Sequence, residues 1–455
     1  MKGKAPVSDE VLKVKLPRPT EFNLPNGLHV MVLEDHRVPQ INFSIIVQGA
    51  GGYFDPADMI GVSAFTAAMM REGAGNRTSS QISGTLESMA ANLNVGSAAA
   101  SPDATVSGSG LTEYADSLFS LAADVLLRPT FPDAELARYK QRMQAQLIQQ
   151  RTNPAFGAVE LFNKVTYGSH PGSRTSPTVD ALAKVTRDNL VAFHRERFVP
   201  DHAAVAISGD ITPADARKLV EAKFGAWKKT GAAAPAVTDP PAALAGRVHL
   251  VDRPASVQTN FVVGTQAITR TDPDYDALQV ANKVLGGGPS ARLFVHLREE
   301  KGYTYSIGSS VDATRYRGDW TASTDVRTEV TEPALRDLLA EFGHMRDSVV
   351  PAKELRDQQR SLVASFALSL ENPAQVLNYY VTSWTYQLPA DYWDKYPDRV
   401  MAVTAAQVQA ASKKYLAADK LHVVGVGDGA KISEVLKRFG TVDRYDTDGR
   451  MAPIP

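Results

Sequence analysis

The sequence predicts an α+β protein of two homologous domains, each a mainly antiparallel sheet with helices packed on one face, and three observations carry that prediction. The first is an ordered set of residue pairs that occurs twice. Val185-Thr186 opens a helical stretch, an apolar strand then reaches Gly209-Asp210, and a helix runs on to Phe224-Gly225; Val403-Thr404, Gly427-Asp428 and Phe439-Gly440 repeat that order. The threonine-to-glycine spacing is 23 residues both times, 186 to 209 and 404 to 427. A single long repeat of this kind indicates a duplicated domain and not an array of short units. The second observation is the stretch 230–244, TGAAAPAVTDPPAAL. Its prolines, set among alanines, form neither helix nor central strand and give a semi-extended spacer between nearly equal halves. The third is that each half mixes short β-rich runs with longer segments of helical period.

The resulting layout is an N-terminal extension over 1–20, a first domain over 21–229, a linker over 230–244, a second domain over 245–445 and a tail over 446–455. In the first domain, 28–33 and 41–47 read as strands, with Asn26-Gly27 as the turn that introduces the first. Helices are predicted over 61–71, 79–93 and 112–127. In the last of these Tyr114, Leu118, Leu121 and Val125 fall on one face, and Arg128-Pro129 stops it. A further helix starts near Pro132-Asp133, carries Tyr139, Met143 and Leu147, and is broken by Asn153-Pro154.

Composition narrows the function. The chain has 455 residues, 44% of them apolar, enough for more than one core because single cores stop growing near about 250–300 residues. With 49 basic and 50 acidic side chains the net charge is -1, so no electrostatic footprint for nucleic acid or an anionic membrane exists; peptides or small solutes are the expected partners. Cysteine is absent, which excludes disulfides, thiolate zinc sites and a cysteine nucleophile. No segment reaches the ~20 apolar residues of a spanning helix. Met1-Lys2-Gly3-Lys4 leads into a charged stretch without an apolar run of secretory length, and 2–20 reads like the linker that often follows an export signal.

Catalytic motifs are conspicuous by absence. The nine histidines, at 29, 36, 170, 194, 202, 249, 296, 344 and 422, include no pair three or four apart, the spacing that puts two zinc ligands on one helix face. His194 and His202 flank Glu196, but eight residues separate them, and they read as surface or capping histidines. No G-x-S-x-G elbow occurs; Ser107-Gly108-Ser109-Gly110 follows a strand pattern and reads as a polar sheet segment. Gly286-Gly287-Gly288-Pro289-Ser290 lacks both the GxGxxG spacing and a following Gly-Lys-Ser/Thr, so a tight turn between helices explains those glycines better than a phosphate loop does.

The run Gly61-Val62-Ser63-Ala64-Phe65-Thr66-Ala67-Ala68-Met69-Met70, followed by Glu72-Gly73 and Asn76-Arg77-Thr78, resembles the signature segment of the pitrilysin or insulinase family, the inverted zincins. That resemblance extends from the Asn26-Gly27 strand to the Gly427-Asp428 repeat. Active members carry H-x-x-E-H on this helix, two histidines for zinc and a glutamate that activates water. In the register set by Gly61 and Met69 those positions fall on Ala64, Ala67 and Ala68. The family's third ligand, a glutamate shortly before Asn-Pro, has Gln146 as its nearest match ahead of Asn153-Pro154. A neutral amide is a poor zinc ligand, so both halves of the site are lost and no metal or other cofactor is expected on this chain. Alanine suits the vacated positions, being the best helix former and having no polar group to satisfy.

A second segment keeps its chemistry. Ser290-Ala-Arg-Leu-Phe-Val-His-Leu-Arg298-Glu-Glu-Lys-Gly302-Tyr-Thr-Tyr305-Ser306 is similar to the second-half segment in which active members hold an arginine and a tyrosine seven apart, facing the zinc half across a central chamber. A guanidinium donates in a fixed fork to carbonyl oxygens, and a phenol can hydrogen-bond an oxygen that becomes negative as water attacks. The resemblance therefore implies half of a clam-shell chamber. It implies a zinc-free subunit, inactive alone, that supplies Arg298 and Tyr305 in trans to a zinc-bearing homologous sister chain hydrolysing peptides. It also points to the periplasm, although the chain as given carries no signal peptide, which would otherwise place it in the cytoplasm. The alternative within the same fold is a non-proteolytic structural, assembly or peptide-binding protein.

Overall fold

The computed structural model describes residues 13–242 and 245–452; the first part of the N-terminal extension, two linker positions and the last residues of the tail lie outside them. Two six-stranded sheets organise the chain. The first comprises β1 (Thr20–Asn23), β2 (His29–Glu34), β3 (Gln40–Gln48), β4 (Asn92–Ser97), β5 (Asp103–Leu111) and β6 (Ala203–Gly209), in the order β1-β2-β6-β3-β5-β4. The second comprises β7 (Val248–Asp252), β8 (Gln258–Gln266), β9 (Ile307–Val311), β10 (Asp319–Arg327), β11 (His422–Gly427) and β12 (Val442–Tyr445). Its order, β12-β7-β11-β8-β10-β9, matches the first sheet strand for strand except at one edge. There β1 enters antiparallel through the Asn26-Gly27 turn, whereas β12 arrives parallel after a helix. Both sheets are mainly antiparallel, with the parallel pairs β2–β6, β7–β11 and β7–β12 formed between strands far apart in the chain.

The helices repeat as well. The first half contributes α1 (Val62–Met69), α2 (Ala115–Leu127), α3 (Asp133–Arg151), α4 (Pro154–Tyr167) and α5 (Arg187–Arg197). The second contributes α6 (Tyr275–Leu285), α7 (Thr331–Asp347), α8 (Ala352–Ser369), α9 (Pro373–Tyr386) and α10 (Ala405–Tyr415). The twin Val-Thr pairs have a physical purpose. Thr186 and Thr404 are the N-caps of α5 and α10, each closing a capping box with the third helical residue, Asn189 or Gln407, which satisfies otherwise orphaned backbone donors. Asn153-Pro154 and Asn372-Pro373 end one helix and start the next, with asparagine as N-cap and proline in the first turn, where its missing N–H costs nothing.

One face of each sheet carries its own half's helices over a core that includes Phe43, Phe65, Phe119 and Phe224 in the first half, and Phe261, Trp320 and Phe342 in the second. The other face is partly covered by a helix from the opposite half. α4 sets Ala158, Leu161 and Phe162 on Val251, Val262, Val424 and Val426 of the second sheet, while α9 sets Val376, Leu377, Tyr380 and Val381 on Met31, Leu33, Ala204 and Ala206 of the first. Each large side chain so buried contributes about 1.5–3 kcal/mol, so the halves clasp each other. Hydrogen bonds follow the same seam: Tyr167 Oη donates to Asp319 Oδ2 at 2.7 Å, and Gln266 Nε2 donates to the Thr166 carbonyl at 2.8 Å. The described part of the 230–244 stretch is extended, as its prolines require, yet it does not swing free. Gly231 N–H donates to Asp201 at 2.6 Å, Thr238 N–H to Tyr53 Oη at 3.0 Å and Arg317 N–H to Asp239 at 2.8 Å.

Three element boundaries differ from expectation. The helix predicted over 79–93 ends at Ser88, and Leu93 belongs to β4. Ala90 turns the chain with φ +48°, and the exposed Asn92 and Asn94 around buried Leu93 show the period of two that marks a strand. The helix predicted over 61–71 is trimmed at both ends to α1, and 112–114 form a short 3₁₀ turn ahead of α2.

Candidate functional site

The vacated metal helix comes first. Asp55, almost fully buried, holds the N-terminus of α1 by accepting from the Gly61 and Ser63 N–H groups at 2.6 and 3.0 Å. Burial pushes its carboxyl above the usual range against those bonds. Gly61 takes φ +106°, and a Cβ there would sit 2.7 Å from the Pro177 ring, so glycine is required on both counts. Phe65 and Met69 anchor the helix in the core, with Phe65 edge-on to Tyr139 of α3 at 4.9 Å. Ala64 and Ala68, one turn apart, are half-buried on one face, and Ala67 is completely buried. Gln146 lies exposed on α3. Three methyl groups and a carboxamide supply no donor set for zinc. Among the described residues no group of three histidine, aspartate or glutamate side chains is placed to hold a metal ion.

Arg298 and Tyr305 are brought together. Arg298 sits on a π-helical segment, Phe294–Glu300, a geometry frequent at functional sites. Arg292 clamps the start of that segment to α8 through two 2.8 Å bonds to Glu354, and Leu297 is fully buried. Gly302, at φ +61°, reverses the chain and donates its N–H to the Arg298 carbonyl. Thr304 Oγ1 then bonds the Ser306 carbonyl at 2.9 Å and receives Thr324 Oγ1 from β10 at 2.9 Å. Tyr305, held between two pinned neighbours, projects outward and is 84% exposed. The Arg298 guanidinium lies 4.6 Å from the Phe294 ring centre and 5.5 Å from that of Tyr305, and it pairs with Glu299. The spacing of seven thus yields one presented pair of hydrogen-bond donors, an arginine stacked between two rings and a phenol in solvent.

Elsewhere, His194 serves packing. His194 is not at the surface as expected: half-buried between Phe131 and Phe198, it shares a 2.8 Å hydrogen bond with the Leu126 carbonyl, and burial lowers its basicity. Two features had no sequence signal, because strand register and the packing of α4 across the seam assemble them. His249 Nε2 meets His422 Nδ1 at 3.1 Å inside the second sheet, where burial, reinforced by the second ring, drives the His249 pKa down to about 4. Asp319, on β10, has its carboxylate crowded into the seam between the halves. Desolvation raises its pKa to about 7, against the lowering effect of the Tyr167 hydroxyl.

Comparisons with known proteins agree with this anatomy. The sequence model for the insulinase family, peptidase family M16, matches residues 30–175, and the model for the peptidase M16 inactive domain matches residues 184–362. An uncharacterized zinc protease of Streptomyces coelicolor is 28% identical over 269 residues, 56% of this chain and 57% of the relative. Another, from Bacillus subtilis, is 23% identical over 356 residues, 77% of this chain and 84% of the relative. The chain thus spans just over half the length of the first of these. The crystal structure of a peptidase M16 inactive domain from Pseudomonas fluorescens superposes with a TM-score of 0.84 at 28% identity, covering 90% of this chain and 98% of that one. With two M16 models covering most of its length, the M16 fold, and alanines where the metal motif would stand, the chain belongs to peptidase family M16, the insulinase family.

Proposed function

We propose that this chain is the zinc-free subunit of a heteromeric metallopeptidase, pairing with a homologous sister that carries the metal-binding helix. The observation that carries the reading is an asymmetry. Every donor of the first-half site is gone, yet the second-half segment still presents Arg298 and Tyr305 as a pre-set pair, one stacked and one 84% exposed. Arg298 would hold a substrate carbonyl in its fork, and the Tyr305 hydroxyl would donate to the oxygen on which charge develops. Neither role needs a metal on this chain. Substrates would be short or unfolded peptides that fit an enclosed chamber, and the near-zero net charge of -1 sets no bias towards acidic or basic ones.

The test is hydrolysis of a quenched fluorescent peptide by the purified zinc-bearing relative from the same organism, with and without one equivalent of this chain, and with a chelator control. Activity that needs both chains is the expected result. A relative fully active by itself, or a pair that is inert, would overturn the shared site and leave the structural or peptide-binding reading.

A further inference from the structure

We infer that the open face of the first sheet is a charge-free track for the main chain of an extended peptide, anchored in a pocket beneath α9. The inference deepens the peptidase-subunit reading and rests on it for the choice of a peptide as the occupant. The pocket, about 260 Å³, lies between β3, β6 and α9, and no side chain lining it is charged. Ser208 at its floor is fully buried, and its Oγ has no hydrogen-bond partner. Asn42, Ser44, Gln375 and Asn378 converge on the same space, and among the described residues their side chains also form no hydrogen bond. A buried hydroxyl without a partner costs about 1–3 kcal/mol, a cost that a peptide N–H or C=O entering the pocket would relieve.

The pocket continues as two rows across the sheet. Strand register places Ser208, Asn42, Ser109 and Asn92 side by side, and Ala206, Ser44, Ser107 and Asn94 beside them. Exposure rises along each row, from buried Ser208 and Ala206 through half-buried serines to the exposed asparagines of the edge strand β4. Three strand spacings amount to about 14 Å, the length of roughly four residues of extended peptide. Ser107-Gly108-Ser109-Gly110 is explained here. A Cβ at Gly108 would stand 2.5 Å from the Phe43 ring, so the glycines admit core side chains while the serines face outward.

Ordinary protein surface is roughly 25–35% charged, yet neither row contains a charge; Arg71 reaches in only at the rim, donating to Asn94 at 3.3 Å. Hydroxyls and carboxamides both donate and accept, as a peptide unit does, and a carboxamide can pair with one in bidentate fashion. An ionic ligand would find no counter-charge in the pocket and would lose its hydration. Recognition therefore falls on the peptide backbone, with substrate side chains of either charge pointing away.

Fluorescence anisotropy on the full chain tests this with labelled octapeptides, one uncharged and two carrying a central lysine pair or glutamate pair. The three should bind within about threefold of one another, and raising the salt should change little. Asn42→Ala and Gln375→Ala should each weaken binding about tenfold; Gln375 is on the half-exposed rim, and circular dichroism establishes that both variants fold. Unchanged binding by the folded variants, steep salt dependence, or preference for a neutral oligosaccharide over peptide would each overturn the track. If wild type binds no peptide but still activates the zinc-bearing relative, the track fails and the subunit reading stands. Binding that is lost in the variants, without activation, supports the track and removes the subunit reading.

Discussion

Asp319→Asn reports directly on the seam between the two halves. In the native protein the Asp319 carboxyl accepts from Tyr167 Oη at 2.7 Å and has its pKa raised to about 7 from an ordinary 3.8, chiefly by loss of solvent. Between those values the unfolded chain has released the proton that the folded chain keeps. The folded state then binds more protons, so stability falls as pH rises, and the loss is complete once pH passes the folded value. At about 1.36 kcal/mol per unit, a shift of roughly three units corresponds to an upper bound near 4 kcal/mol at alkaline pH. Asparagine keeps the acceptor for Tyr167 and cannot ionise. Urea unfolding of both proteins, followed by tryptophan fluorescence from pH 5 to pH 8, should show the variant gaining on wild type by about 2–3 kcal/mol across that range. Parallel pH profiles would refute the reasoning, since they would mean that Asp319 is solvated or already ionised in the fold.

Three further outcomes are expected. In the two-chain assay, Arg298→Ala or Tyr305→Phe should lower kcat by about 10²–10³, the cost of losing one charge-stabilising donor, while co-elution of the chains stays unchanged; full activity in the double variant would exclude the pair from catalysis. His249, held neutral by burial with its pKa near 4, has the opposite sign to Asp319. Its contribution is present above the unfolded value and is lost as pH falls from about 6.5 through 4, so His249→Gln should flatten the acid limb of the stability curve by up to about 3 kcal/mol. Gly108→Ala pushes a methyl group to 2.5 Å from the Phe43 ring and should cost about 1–3 kcal/mol. Ser107→Ala, on the open side of the same strand, should stay within about 0.5 kcal/mol, as read from urea midpoints.

Much of the architecture was legible because it is written in local chemistry. The threonines that cap α5 and α10, the Asn-Pro steps that cap α4 and α9, and the glycines that end β6 and β11 act through neighbours within a few residues. The helix predicted over 79–93 misled for the same reason. Ile82, Leu86 and Leu93 suit a helical period, and only the pairing of Leu93 with Gly108 on β5 decided that the last of them belongs to a strand.

At the candidate site, the loss of metal ligands at Ala64, Ala67 and Ala68 could be read residue by residue, because a side chain without a donor atom cannot coordinate in any fold. The spacing of Arg298 and Tyr305 was also plain, but their placement was not: it took a π-turn, a reversal at Gly302 and a bond from Thr324 on the neighbouring strand to present them together. The duplicated domain, the alanines at positions 64, 67 and 68 and the seven-residue spacing of Arg298 and Tyr305 were therefore determined by the sequence itself. The exchange of α4 and α9 between the sheets, the raised pKa of Asp319, the buried histidine pair and the rows of serine and asparagine were decided only by the tertiary structure. Each depends on residues far apart in the chain that strand register and helix packing bring within a few ångströms, and no local pattern encodes that distance.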